Sequence, residues 1–148
     1  SISQANLDLD SEEEKKEIEE KTAENKDMLT AMKDALADKV KEVRISSRLI
    51  DDPVCIVADE GVSLDMERYM ANDPMNKDRA ITATKILEIN PNHPIFNKLR
   101  EVSTSFPDKL KEYTDVLYDQ ALLIEGLPIK NPVEFAKKIT NLIVDAKN

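Results

Sequence analysis

The last third of the chain contains two neighbouring apolar helices, and this feature constrains the possible folds most strongly. A helix is predicted from Pro107 to about Glu125, because Gly126 is typical of a position just past a helix end and Pro128 cannot continue the helix. Seven of the nine side chains in residues 116–124 are apolar, so the helix is apolar on more than one face. A small domain rarely covers so much apolar surface by itself.

A second apolar helix is predicted immediately after the turn. Asn131 is a candidate N-cap, Pro132 suits the first helical position, and Glu134 lies in the first turn. Its apolar stripe consists of Phe135, Ala136, Ile139, Leu142 and Ile143. Two such helices form a hairpin, and the hairpins of two copies can pair about a two-fold axis into a four-helix bundle. The alternative is that the rest of the domain covers this surface.

The preceding residues predict an α/β chain of the α+β type, with a small three-stranded sheet and packed helices. Residues 40–49 alternate between apolar and polar side chains, residues 54–58 form an apolar run typical of a more central strand, and residues 85–90 predict a third strand. A long helix is predicted from Ser11, which opens a capping box, to about Ala37. Its first half has few apolar residues and should project into solvent, while its second half should dock on the core.

The length of 148 residues fits one domain with a core of useful size. Residues 1–10 are polar and end at an acidic step, so we interpret them as the tail of a preceding domain or as a linker. Residues 11–148 then form the domain proper. Because the first residue is Ser1, we expect the sequence to be part of a longer protein.

A short amphipathic helix is predicted over residues 62–71, between the second and third strands. Its apolar stripe consists of Val62, Met66, Tyr69 and Met70. A methionine-rich stripe is common in cores, but methionine is also the adaptable residue of surfaces that bind many partners. The spacing alone therefore leaves a core role and a binding role open.

The sequence offers few residues for a nucleotide-binding site or for a catalytic nucleophile. Gly61 and Gly126 are the two glycines and lie far apart, which excludes a dinucleotide-binding fingerprint and a phosphate-binding P-loop. His93 lies in a proline-flanked turn, where a turn or capping role is expected beside Asn92, itself a candidate N-cap. Cys55 lies within an apolar strand and is expected to be a small buried hydrophobe.

Carboxylates at strand ends leave one enzymatic alternative. Asp51 and Asp52 precede the second predicted strand, and Asp59 and Glu60 follow it, so a divalent cation could be considered there. Acidic pairs at such positions are more typical of solvated turns.

Charge and hydropathy limit the partners and the compartment. The net charge of −9, with 30 acidic and 21 basic residues, argues against nucleic acid and anionic membranes as partners. The sequence contains no run of apolar residues long enough to span a membrane, and one unpaired cysteine is typical of a reducing compartment. We therefore expect a soluble, cytoplasmic protein.

Five stretches of the sequence carry a family resemblance, and several of them are long and uncommon. They are KEVR at 41–44, PVCIV at 53–57, LEINPNHP at 87–94, YDQALLIEG at 118–126 and LDLDSEEE at 7–14. The first four resemble the C-terminal domain of the heat-shock protein 90 chaperones, closest to the bacterial type. The fifth is similar to the junction between the middle and C-terminal domains of that family, so the resemblance covers nearly the whole chain in order.

The resemblance implies a mixed α/β domain that holds two protomers together through its last two helices. The residues carried over to that dimer interface are Leu117, Tyr118, Ala121, Leu122, Ile124, Phe135, Ile139, Leu142 and Ile143. In bacterial members the short helix between the second and third strands contacts client proteins. The residues carried over to this client-binding role are Val62, Met66, Tyr69 and Met70, which favours a binding surface over a core.

The resemblance further implies that the parent protein is an ATP-dependent chaperone whose ATP and Mg²⁺ site lies on an N-terminal domain absent from this chain. We therefore expect a homodimer that contacts partly unfolded client proteins and has no catalytic, cofactor-binding or metal-binding residues of its own. The alternatives are a free-standing acidic homodimeric adaptor and the metal-dependent carboxylate enzyme described above.

Overall fold

The central sheet of the domain has its last strand in the middle. The computed structural model describes residues 4–47, 51–76 and 81–146. Within these ranges, three strands form one mixed sheet in the order β1, β3, β2, where β3 is parallel to β1 and antiparallel to β2. The strands are β1 Glu42–Ile45, β2 Val54–Ala58 and β3 Lys85–Ile89. The last two residues of the first predicted strand, 48 and 49, lie outside the described residues.

The three strands lie where the sequence predicts them, but the central strand is not the predicted one. All five residues of β3 are buried, whereas β2 lies at an edge of the sheet, so the prediction that residues 54–58 form the more central strand is wrong. Two charged residues, Lys85 and Glu88, made β3 look less central than the apolar run in β2. The structure buries both because each forms an ion pair, with Glu67 and Arg44 respectively.

Six helices surround the sheet in the described part of the chain. They are α1 Gln4–Glu24, α2 Lys26–Leu36, α3 Leu64–Ala71, α4 Pro94–Ser105, α5 Pro107–Ile124 and α6 Pro132–Asp145. Short 3₁₀ turns occupy residues 37–39 and 74–76. The α+β fold class and the three-stranded sheet are thereby confirmed.

The first long helix differs from its prediction at its start and in its middle, whereas its end at Leu36 agrees with the prediction. It begins at Gln4, so that Ser11 lies inside α1 and does not cap its start. It also breaks at Asn25, whose side-chain Nδ2 and backbone N–H both donate to the carbonyl of Lys21, at 2.8 and 3.1 Å. Asn25 is 7% exposed, so this break lies against the core.

The exposure of α1 and the burial of α2 agree with the sequence pattern. Side chains 12–17 of α1 are exposed, whereas Ile18 packs against the core. Helix α2 buries its apolar stripe against α5 and β1. The largest fully buried side chains in the described residues include Met32, Leu36, Leu87, Ile89 and Leu99.

The turn between α5 and α6 has the geometry that its glycine predicts. Gly126 has a φ of +73°, and the N–H groups of Gly126 and Leu127 donate to the carbonyls of Leu123 and Leu122 at 3.0 and 2.9 Å. This is the Schellman motif, in which the residue after the glycine makes an apolar contact; Leu127 is 2% exposed. The side chain of Asn131 accepts a hydrogen bond from the N–H of Glu134 at 3.2 Å, which confirms it as the N-cap of α6.

Candidate functional site

The predicted apolar stripe of helix α3 presents two of its four residues to solvent. Ser63 caps the helix by accepting a hydrogen bond from the N–H of Met66 at 3.0 Å. Met66 and Tyr69 are 49% and 68% exposed, while Val62 and Met70 are half-buried. Met66 and Tyr69 are therefore surface residues, and the alternative in which they form core is wrong. The helix begins two residues later than predicted, so Val62 lies just before its N-cap; we call Val62, Met66, Tyr69 and Met70 together the α3 face.

The opposite side of α3 is held by a buried ion pair. The carboxylate of Glu67 lies 2.7 Å from Lys85 Nζ at the start of β3, and these side chains are only 10% and 8% exposed. Glu67 also accepts a hydrogen bond from the N–H of Ala83 at 2.6 Å. Leu64, from the same side of the helix, packs against the core. The sequence pattern had assigned Glu67 to a solvated side, because periodicity gives no sign of the lysine that pairs with it.

A second contact joins α3 to the turn after α5. Arg68 Nε donates to the backbone carbonyl of Glu125 at 2.7 Å, and Arg68 Nη1 lies 2.6 Å from Asp65 Oδ1. The Glu125 carboxylate is 3.5 Å from Arg68 Nη2. The guanidinium lies beside Gly126, where a Cβ would be 3.4 Å from Arg68 Nε, an ordinary van der Waals distance.

The predicted dimer interface divides into two groups. Leu117, Tyr118, Ala121 and Leu122 are at most 8% exposed and belong to the core of this chain, because α5 packs against α2, α4 and β2. As a correction to the predicted face, these four side chains present almost no surface to a second copy in this structure. Among the other predicted residues, Ile124 and Ile143 are exposed, and Phe135, Ile139 and Leu142 are half-buried.

Helix α6 is amphipathic, yet none of its residues, all of which are described, is fully buried. Three exposed apolar side chains of the hairpin were missing from the predicted interface, namely Leu123, Val133 and Val144. Their exposed fractions lie between 50% and 76%. We call the exposed apolar residues of the hairpin the hairpin surface: Leu123, Ile124, Val133, Ile143 and Val144.

Ion pairs contribute to the contact between α5 and α6. Asp115 Oδ2 lies 3.1 Å from Lys138 Nζ and 3.6 Å from Lys111 Nζ, and the Asp115 side chain is 8% exposed. Its other oxygen, Oδ1, is buried without a hydrogen-bond partner among the described residues. Near the far end of the hairpin, Lys109 Nζ lies 3.5 Å from Asp145.

Two titratable groups next to this contact are shifted by burial. Burial raises the pKa of Tyr118 to about 12, and its hydroxyl donates to the carbonyl of Lys39 at 3.4 Å. Burial also raises the pKa of Asp119, against the opposing effects of Lys39 and Lys138, and the nearby Asp115 charge adds to the increase. Ionised Asp119 is therefore less favourable in the folded chain than in the unfolded chain.

Asp119→Asn is expected to raise the thermal unfolding midpoint at pH 7. The unfolded carboxyl ionises near its ordinary pKa of 3.8 and the folded one at higher pH, so the wild type loses stability as pH rises through this interval. The advantage of the variant should shrink as pH is lowered towards 3.8. Thermal unfolding followed by circular dichroism at several pH values measures the difference. Asp34→Asn, at an exposed position of α2, is the matched control, and an equal pH-dependent gain there would contradict the assignment.

The single histidine and cysteine have structural contacts. His93 Nδ1 accepts a hydrogen bond from the N–H of Ile95 at 3.0 Å and caps α4, which confirms the capping role but places it on His93 rather than on Asn92. Cys55 lies on the edge strand β2 and is only half-buried, with Sγ 3.6 Å from the Glu88 carboxylate, so the prediction that it is a buried hydrophobe is wrong.

The carboxylates considered for a metal site do not converge. Asp51 and Asp52 lie before β2, whereas Asp59 and Glu60 lie after it, at opposite ends of the strand. Asp59 pairs with Lys41 at 2.7 Å, and this hydrogen bond lowers the pKa of Asp59. Across the described ranges, no three His, Cys, Asp or Glu side chains lie together in a way that could hold a metal ion. No helix in those ranges is long and apolar enough to cross a lipid bilayer.

Comparisons with known proteins are consistent across nearly the whole chain. The family model described as Hsp90 protein matches residues 1–147. The chain is 45% identical over 144 residues to the chaperone protein HtpG of Bacillus subtilis, an alignment that covers 97% of this chain and 23% of that protein. It is 47% identical over 139 residues to the chaperone protein HtpG of Clostridium acetobutylicum, covering 94% of this chain and 22% of that protein. The chain thus spans less than a quarter of the length of these relatives.

Proposed function

Because this chain belongs to the Hsp90 family, we propose that it is the dimerisation and client-contacting domain of an ATP-dependent molecular chaperone. The observation that supports this most directly is the distribution of exposed apolar side chains. Of the ten large ones in the described residues, five form the hairpin surface and two lie on the α3 face. Exposed apolar patches of this kind are typical of surfaces that bind other proteins.

The hairpin surface is the part that we assign to pairing with a second copy. The surface lies on two antiparallel helices, one of which has no fully buried residue, so a single chain covers the apolar stripe of that helix only in part. Pairing of two hairpins into a four-helix bundle is the usual way to cover such stripes. In the whole protein, a permanent dimer would raise the effective concentration of the two ATP-binding regions for each other.

Sedimentation equilibrium of the chain tests this assignment directly. We expect a particle of twice the chain mass of 16.7 kDa at micromolar concentration. A species that stays at the mass of one chain up to the highest soluble concentration would contradict the pairing role. The ATP and Mg²⁺ chemistry of the whole protein is assigned to the part of the relatives that this chain does not cover.

The α3 face is the part that we assign to client proteins. Its methionine and tyrosine side chains are exposed on a helix that is anchored from its other side, so they can adapt to different apolar segments without loss of the fold. The surrounding polar residues Asp65, Asn72 and Asp73 line a shallow depression beside Tyr69. An apolar centre with a polar rim is the usual arrangement of a protein-binding surface.

Replacing Met66 and Tyr69 together by serine is expected to weaken client binding about tenfold or more, because two exposed apolar side chains lose their contact area. Fluorescence anisotropy with a labelled peptide of leucine, phenylalanine and serine measures the change. Met75→Ser is the matched control, since Met75 is 90% exposed but lies outside α3. Equal weakening by the control would remove the special role of α3, and unfolding of the double variant would show that the stripe stabilises the core.

A further inference from the structure

Helix α3 is attached to two different parts of the domain. On one side, Glu67 pairs with Lys85 and ties the helix to the central strand of the sheet. On another, Arg68 reaches the turn that joins the two helices of the hairpin. The second attachment connects the α3 face to the element that carries the hairpin surface.

The contact made by Arg68 is specific to the end of α5. Glu125 is the C-cap residue of that helix, and its carbonyl accepts the 2.7 Å hydrogen bond from Arg68 Nε. The last carbonyls of a helix lack intrahelical partners and carry the negative end of the helix dipole, so a cation is favoured there. Gly126 follows with a left-handed backbone, φ +73°, which turns the chain towards α6, and a Cβ there would make only ordinary van der Waals contact with the same nitrogen at 3.4 Å.

The guanidinium is oriented from within its own helix. Asp65, one turn earlier on α3, lies 2.6 Å from Arg68 Nη1 and leaves Nε free to face the turn. An arginine can make both contacts at once because its donors have a fixed planar arrangement, which a lysine lacks. The Arg68 side chain is 35% exposed, so its contacts are partly shielded from solvent.

We propose that Arg68 is a positioning residue that couples client binding on the α3 face to pairing of two copies through the hairpin. The inference rests on the proposed function. The Arg68 contacts exist only when α3 and the α5–α6 turn are both in the positions seen here. A ligand that binds the positioned α3 therefore also favours the positioned turn, from which α6 continues, and linkage requires the reverse effect to be equal.

The test measures the dimer dissociation constant with and without a saturating client peptide. Sedimentation equilibrium is carried out with the fluorescein-labelled peptide of leucine, phenylalanine and serine. In the wild type, we expect the peptide to tighten pairing about fivefold, at the lower end of ordinary coupling between sites. Arg68→Met keeps an unbranched apolar side chain but has no donor. In this variant the ratio of the dimer dissociation constants without and with peptide should fall to about one.

Two further variants separate coupling from a general effect on stability. Arg68→Lys keeps a donor for the Glu125 carbonyl but not for Asp65 at the same time, so it should restore part of the coupling. Arg100→Met removes an exposed arginine from α4 and should leave the wild-type ratio unchanged. If Arg68→Met does not fold, the wild type and Arg68→Lys decide the question.

The outcomes distinguish this inference from the function on which it rests. A wild type that pairs and binds peptide with a ratio of one overturns the coupling and leaves the proposed function intact. A fivefold ratio that persists in Arg68→Met assigns the coupling to another route and overturns the role of Arg68. A wild type that neither pairs nor binds the peptide contradicts the proposed function itself and therefore also overturns the coupling.

Discussion

Lys85→Met lowers the free energy of unfolding by about 3–5 kcal/mol in our expectation, because it leaves the Glu67 carboxylate buried without its cation. Glu67 would keep only the N–H of Ala83 as a donor within the described residues. Urea denaturation at pH 7 measures the loss. Since α3 depends on this pair for its attachment to β3, client binding should weaken together with stability.

A double variant shows whether the isolated charge causes the loss. Lys85→Met combined with Glu67→Gln removes both charges, and the amide oxygen of the glutamine can still accept from Ala83. Replacing both members of a buried pair costs far less than removing one, so most of the stability should return. Lys98→Met is the matched control at an exposed pair with Glu101, where the change should stay below about 1 kcal/mol. If Lys85→Met were as mild as this control, the pair would not stabilise the fold.

Leu117→Glu should abolish pairing and Ile143→Asp should weaken it strongly, for different reasons. Leu117 is 6% exposed within the core, so a carboxylate there is expected to cost more than about 4 kcal/mol and to unfold the chain. Ile143 is 70% exposed on α6, so the fold of a single chain should be almost unchanged. At a paired hairpin surface, however, the introduced aspartate would be a buried unpaired charge, and the dimer dissociation constant should rise about a hundredfold.

Circular dichroism and sedimentation equilibrium on the same samples separate the two effects. Asn141→Asp provides the matched control, since it adds the same charge in the same turn of α6 at an exposed polar position about 200° around the helix. The control should pair like the wild type. A folded, dimeric Ile143→Asp would exclude the end of α6 from the interface, and a folded monomeric Leu117→Glu would contradict the burial of Leu117.

Features that depend on a few consecutive residues were predictable. The end of α5 at Gly126, the N-cap at Asn131 and the bounds of β2 follow from local backbone preferences. The amphipathic pattern of α3 was also correct, and its exposed Met66 and Tyr69 agree with a binding surface rather than a core.

Features that depend on partners distant in sequence were not predictable. Glu88 is 2% exposed on the central strand because Arg44, from a neighbouring strand, lies 2.8 Å from it. Periodicity cannot reveal such a pair, so the charges on β3 hid its central position. The same limit applies to α5. The spacing showed that Leu117 and Tyr118 must be buried by a packing partner, but not that α2 and β2 of the same chain are that partner.

The interactions of α3 were missed for a related reason. Glu67 and Arg68 look like ordinary solvated residues of an amphipathic helix, because the sequence does not show Lys85 and the Glu125 carbonyl beside them. These two contacts decide which side of α3 faces outwards. The direction of a short helix is thus set by its polar contacts as much as by its apolar stripe.

The position of β3 between β1 and β2 also orders events during synthesis on the ribosome. β1 and β2 do not pair with each other, so neither gains its sheet hydrogen bonds before residues 85–89 have emerged. Lys85, which anchors α3, belongs to the same late segment. A nascent chain therefore cannot fix the α3 face until its sheet has formed, so Met66 and Tyr69 take their exposed positions only after the chain's own strands have paired.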